Sequence, residues 1–123
     1  MAVISTVTRN KEGSKKPTRH YSTKQEKYVA KKFNGTRTKN SGATMFGGKG
    51  DVLMDKFLLE CKTKTSDADS ISIKKDWLEK IVKESLMMGK NYCALIFNFG
   101  PSSQKNYVII DEDTFKELIE DEQ

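Results

Sequence analysis

The chain has 123 residues at 14.0 kDa, 36% hydrophobic and 32% charged, which is enough for one modest core and no second domain. Its longest apolar runs, such as Tyr92–Phe97, fall far short of the roughly 20 residues that cross a bilayer, and no basic-then-apolar leader opens it, so neither a membrane span nor a secretion signal is expected. Cys61 and Cys93 lie in apolar segments without framework spacing and read as buried, reduced thiols of a cytoplasmic protein; with one histidine, His20, they argue against a zinc site.

The net charge of +5 conceals an asymmetry. Residues 1–50 carry twelve Lys and Arg against Glu12 and Glu26, a net +10, whereas residues 51–123 carry ten Lys against fifteen Asp and Glu, a net −5. A basic half of this strength points to a polyanionic partner, nucleic acid before an anionic membrane. The alternative is a solvated lysine tail that aids solubility.

In chain order, residues 1–21 are polar, basic and without period, and read as a flexible N-terminal arm ahead of a single domain over residues 22–123. A helix is expected from an N-cap at Ser22 or Thr23 to about Phe33, with Tyr28, Val29, Ala30 and Phe33 as its apolar stripe and Asn34-Gly35 as its stop. A Gly-, Ser-, Thr- and Asn-rich stretch follows, with one short strand near Thr36–Lys39. Strands at Asp51–Met54 and Phe57–Lys62 flank a tight turn at Asp55-Lys56. An amphipathic helix is expected from about Lys74 to Met88, burying Trp77, Leu78, Ile81, Val82, Ser85 and Leu86, and ending at Gly89. Tyr92–Phe99 and Tyr107–Ile110 read as strands, and Asp113–Glu120 as a short helix carrying Phe115, Leu118 and Ile119. The order α-β-β-β-α-β-β-α predicts a mixed α/β domain with helices packed on one central sheet.

The chemistry gathers on the central hairpin. With a two-residue turn at Asp55-Lys56, Leu53 faces Leu58, Val52 faces Leu59 and Asp51 faces Glu60. Opposed carboxylates destabilise a strand pair, so something must offset the repulsion. Alternation puts Lys62 on the face of Glu60 and turns Phe57, Leu59 and Cys61 the other way. Two hard carboxylates beside a basic surface suit Mg²⁺, which keeps several waters and favours phosphate-bearing partners, and a neighbouring ammonium can stabilise charge on a phosphate. Rim charges paired with Lys62 are the simpler alternative. Glu60-Cys61-Lys62 is the only acidic-x-Lys triplet in the chain.

Glu26 on the first helix, Gly50-Asp51 opening a strand and Glu60-x-Lys62 closing the next together resemble the PD-(D/E)XK nuclease superfamily. Within it, the Lys-rich start, the helix-one glutamate, the Asn40-Ser41-Gly42-Ala43 loop and the short chain are most similar to archaeal-type and phage Holliday junction resolvases. The proline that often precedes the aspartate is Gly50 here. The resemblance, over about residues 22–100, implies a restriction-endonuclease-like core. It also implies a Mg²⁺-dependent enzyme, with Mn²⁺ as substitute, that nicks four-way DNA junctions in pairs through a metal-activated water. Asp51, Glu60 and the Cys61 backbone carbonyl would be metal ligands. Lys62 would position the attacking water, Glu26 would complete the acidic cluster directly or through water, and Ser41 would contact the scissile phosphate region.

The same resemblance implies a homodimer acting on DNA in a bacterial, archaeal or phage-infected cytoplasm, with no membrane partner and no organic cofactor. Other functions remain open: a nicking, repair or restriction-type nuclease with the same site, or a non-catalytic DNA-binding module that has no need of the acidic cluster. Lys15, Lys16, Arg19, Lys24, Lys32, Arg37, Lys39, Lys49 and Lys64 are the candidate DNA contacts. Gly47-Gly48-Lys49-Gly50 is no phosphate loop, because neither Ser nor Thr follows the lysine and a strand comes next.

Overall fold

A computed structural model describes residues 18–38, 50–102 and 105–121. Among these, three helices flank a five-stranded mixed sheet: α1 (Thr18–Lys32), β1 (Thr36–Arg37), β2 (Val52–Leu53), β3 (Phe57–Lys62), α2 (Lys75–Met87), β4 (Tyr92–Phe97), β5 (Tyr107–Ile109) and α3 (Glu112–Asp121). The order along the chain is the expected one. Within the sheet the strands lie in sequence order, antiparallel except for the parallel pair β3–β4. A parallel pair needs a crossover, and α2 supplies it.

Helix α1 begins four residues before the expected cap, inside the stretch read as a flexible arm. The Ser22 hydroxyl donates to the Arg19 carbonyl at 3.3 Å, a bond made back along a helix already under way, so Ser22 is no N-cap. Residues 1–17 of the arm lie outside the described residues. The stop is as expected: Asn34 adopts φ 55°, Gly35 N–H donates to Ala30 C=O at 2.8 Å and Asn34 N–H to Lys31 C=O at 3.5 Å, a Schellman closure.

Strand alternation divides the core between two faces. On one, Val29 of α1 packs against Val52, Leu59, Cys61, Ala94 and Ile96. The other face carries Leu58 and Leu95, both fully buried, together with Glu60 and Lys62, and α2 covers it. The expected buried face of α2 is rotated. Ile81 and Ser85 are buried as expected, but Val82 is 44% and Leu86 72% exposed, and Glu84 takes a buried position instead. On α3, Phe115 and Ile119 are likewise exposed.

The register of the hairpin is Val52↔Leu59 and Leu53↔Leu58, closed by Met54 N–H to Phe57 C=O at 2.9 Å, as the two-residue turn requires. Asp51 departs from the expectation that it opens the strand opposite Glu60. Its N–H donates to Leu59 C=O at 2.8 Å, so the ladder stops at Val52 and Asp51 sits in a bend. Both cysteines are free thiols, Cys61 buried and Cys93 half-buried.

Candidate active site

The site starts from a glycine. Gly50 takes φ +66°, a conformation L side chains rarely adopt, and a Cβ there would lie 2.7 Å from Leu58 Cγ. Four bonds hold this bend: Glu84 Oε1 accepts Gly50 N–H at 2.8 Å, Thr38 Oγ1 donates to Gly50 C=O at 2.7 Å, Thr38 N–H donates to Asp51 C=O at 3.0 Å, and Asp51 N–H reaches Leu59. The bend presents Asp51 Oδ2 to the Cys61 N–H at 2.8 Å. The carboxylate thus stands against the backbone between Glu60 and Lys62.

Glu60 and Lys62 project from the α2 face of β3, two residues apart on one side of the strand. Lys62 Nζ lies 3.4 Å from Glu60 Oε2 and 4.5 Å from the centre of the Trp77 ring, so one ammonium is shared between a carboxylate and an aromatic face. Lys74 also reaches the Trp77 ring, at 5.9 Å. On the opposite face, Glu26 of α1 pairs with Arg37 at 3.3 Å.

The three acidic groups share one electrostatic condition. Burial, joined by the charge of Asp51, pushes Glu60 up to about 7, and the attraction of Lys62 only partly opposes this. Burial raises Asp51 against the bond from Cys61 N–H, and burial with the charge of Asp51 raises Glu26 against Arg37. Burial raises the Cys61 thiol as well, with the charges of Asp51, Glu26 and Glu60 adding to it, which leaves it an unreactive packing group. The charge of Asp51 acts on Glu26, Cys61 and Glu60 alike, and Asp51 therefore sits at the electrostatic centre of the group. Partly buried carboxylates with excess affinity for protons are a site short of positive charge.

No three His, Cys, Asp or Glu side chains among the described residues converge closely enough to hold a metal by themselves. A site of two carboxylates, one backbone carbonyl and water does not need three, and such a set suits Mg²⁺. The donors of that kind here are the Asp51 and Glu60 carboxylates and the Cys61 carbonyl; Asp51 Oδ2 accepts from the Cys61 N–H, Glu60 Oε2 pairs with Lys62, and Glu26 is held back by its pairing with Arg37.

Ser41, Lys15, Lys16, Lys39 and Lys49 lie outside the described residues. Arg19 and Lys24 are exposed, and Lys64 is half-buried just past β3. Lys32 donates to the Tyr28 hydroxyl at 3.3 Å, and Arg37, expected as a DNA contact, is engaged by Glu26.

Three further residues shape the site without any sequence motif to mark them. Trp77 reads from its spacing as a core residue, yet it lies under Lys62. Gln25, 6% exposed, donates from Nε2 to the carbonyls of Lys62 at 2.9 Å and Ile96 at 3.4 Å and to Asn106 Oδ1 at 3.2 Å, and so clasps the ends of β3 and β4. Glu84 supports the Gly50 bend. An acidic residue at i+3 from Ile81 on an otherwise apolar helix face is the available signal for Glu84.

No protein-family model matches the chain, and neither the curated proteins nor the solved structures contain a match to it. Among the described residues no helix is long and apolar enough to cross a membrane.

Proposed function

We propose that this chain is a Mg²⁺-dependent DNA endonuclease of the PD-(D/E)XK type that resolves four-way junctions. The observation that carries the reading is the Asp51 carboxylate, fixed on the Cys61 N–H beside Glu60, with the Lys62 ammonium 3.4 Å from Glu60. An antiparallel hairpin joined through a crossover helix to a parallel strand is compatible with a restriction-endonuclease-like core. The choice of junction over other DNA rests on the resemblance of the sequence, and so does the homodimer that would place two sites on opposing strands.

Asp51, Glu60 and the Cys61 carbonyl would hold Mg²⁺, which supplies Lewis-acid neutralisation of phosphodiester charge. Asp51 is orientated for this by its own backbone bend. Lys62 would hold a water or a phosphate oxygen at the reacting phosphorus, its ammonium set over the Trp77 ring. Glu26 contributes negative charge from the other face and keeps Arg37 folded onto the domain. The reaction is hydrolysis: water adds to phosphorus as one P–O ester bond breaks, with no covalent enzyme intermediate.

The test is incubation with Mg²⁺ and labelled four-way junction, linear duplex and single strand, alongside Asp51→Asn and Lys62→Ala. Paired, symmetric nicks in the junction alone are expected from the wild type. Both variants should bind junction and lose cutting by about 10²-fold or more. Cutting of linear duplex would keep the chemistry and replace the substrate, whereas wild-type binding without cutting would make the chain a DNA-binding module.

A further inference from the structure

Glu84 is the one carboxylate of α2 that the sheet buries, with a side chain 4% exposed. A carboxylate in that position is costly to desolvate unless its bonds offset the loss. Oε1 accepts Gly50 N–H at 2.8 Å, while Oε2 makes no hydrogen bond among the described residues and has the Lys80 ammonium 3.7 Å away. Lys80 itself is largely exposed, so the firm contact of Glu84 is with the backbone of the bend. That bend is the left-handed residue immediately before Asp51, and it cannot carry a side chain because Leu58 fills the space.

We propose that Glu84 is a positioning residue for the metal site: by holding Gly50 N–H it sets the turn that places the Asp51 carboxylate on the Cys61 N–H, next along β3 from Glu60. The inference rests on the nuclease reading and adds to it a residue from α2, outside the strand pair that carries the acidic-x-Lys triplet. Glu84 acts through geometry and touches neither substrate nor metal. Two single substitutions separate geometry from charge. Glu84→Gln keeps an oxygen at the length needed to accept Gly50 N–H and removes the charge. Glu84→Asp keeps the charge and withdraws the oxygen by one methylene.

Mn²⁺ binding to the full chain, read by electron paramagnetic resonance, gives the affinity without relying on catalysis. Hydrogen exchange of the Gly50 amide in metal-free protein reads the turn directly. Glu84→Gln should bind Mn²⁺ within about threefold of wild type and keep Gly50 protected. Glu84→Asp should weaken Mn²⁺ binding by about tenfold or more and lose that protection, in the range seen when residues that orient metal ligands are changed. The reverse order, with Asp near wild type and Gln weakened, would overturn the proposal in favour of a purely electrostatic role. Equal affinities in all three proteins, or equal losses in both variants, would overturn it as well. Wild-type protein that binds no Mn²⁺ while Gly50 stays protected would overturn the nuclease reading itself, and the positioning role with it.

Discussion

Glu60 keeps its proton to about pH 7, where an ordinary glutamate gives it up near 4.5, because burial and the charge of Asp51 outweigh the help of Lys62. The native state therefore binds more protons than the unfolded chain between those two values. Stability falls as pH rises through that window, by up to about 3 kcal/mol from this residue alone. Glu26 and Asp51 are shifted in the same direction and add to the slope. Thermal melts of metal-free protein should show a falling Tm from pH 5 to 8, and Glu60→Gln should flatten much of that fall. Mg²⁺ competes with the proton, so it should raise Tm more at pH 8 than at pH 6. A Tm that rises through this window without metal would contradict the electrostatics of the site. At Gly50 the constraint is steric: Gly50→Ala places a methyl against Leu58 in a left-handed turn, and should cost about 1–3 kcal/mol by chemical denaturation.

At the scale of elements, the faces of α1 and α2 decide what the site contains. Gln25 ties α1 to the ends of β3 and β4, so Gln25→Ala, which removes the side-chain donor to the Lys62 and Ile96 carbonyls while Asn98 N–H still reaches the Lys62 carbonyl, should lower stability by about 1 kcal/mol. Leu86, expected inside, is 72% exposed, and Leu86→Gln should stay within about 0.5 kcal/mol of wild type. The hairpin is legible in the sequence because a two-residue turn fixes register by counting, and Val52↔Leu59 follows from it. Asp51 is legible as a residue and not as a geometry, because its bend depends on a contact from α2, far along the chain. The rotation of α2 escapes for the same reason. Periodicity ranks Val82 and Leu86 above Glu84, while a single backbone N–H at Gly50 draws the carboxylate inward. The early start of α1 is hidden in a basic stretch with no apolar period of its own.

Across the whole molecule, charge and acidic cluster are divided along the chain, with net +10 on residues 1–50 and net −5 on the rest. On the proposed reading, a polyanion drawn to the basic half would meet the acidic site only where a cation offset the carboxylates, which would couple nucleic-acid binding to metal. Deletion of residues 1–17 should flatten the dependence of log K on log salt for junction binding, since every phosphate no longer neutralised takes about 0.9 off the slope. An unchanged slope would show that these residues do not reach phosphate.

The proposed chemistry depends most on where a metal goes. Anomalous scattering from a crystal equilibrated with Mn²⁺ measures that position directly. A single strong peak is predicted within about 2.0–2.3 Å of an Asp51 carboxylate oxygen, a Glu60 carboxylate oxygen and the Cys61 carbonyl, with Lys62 turned toward the open side. Density elsewhere at saturating Mn²⁺, or none between Asp51 and Glu60, would contradict it.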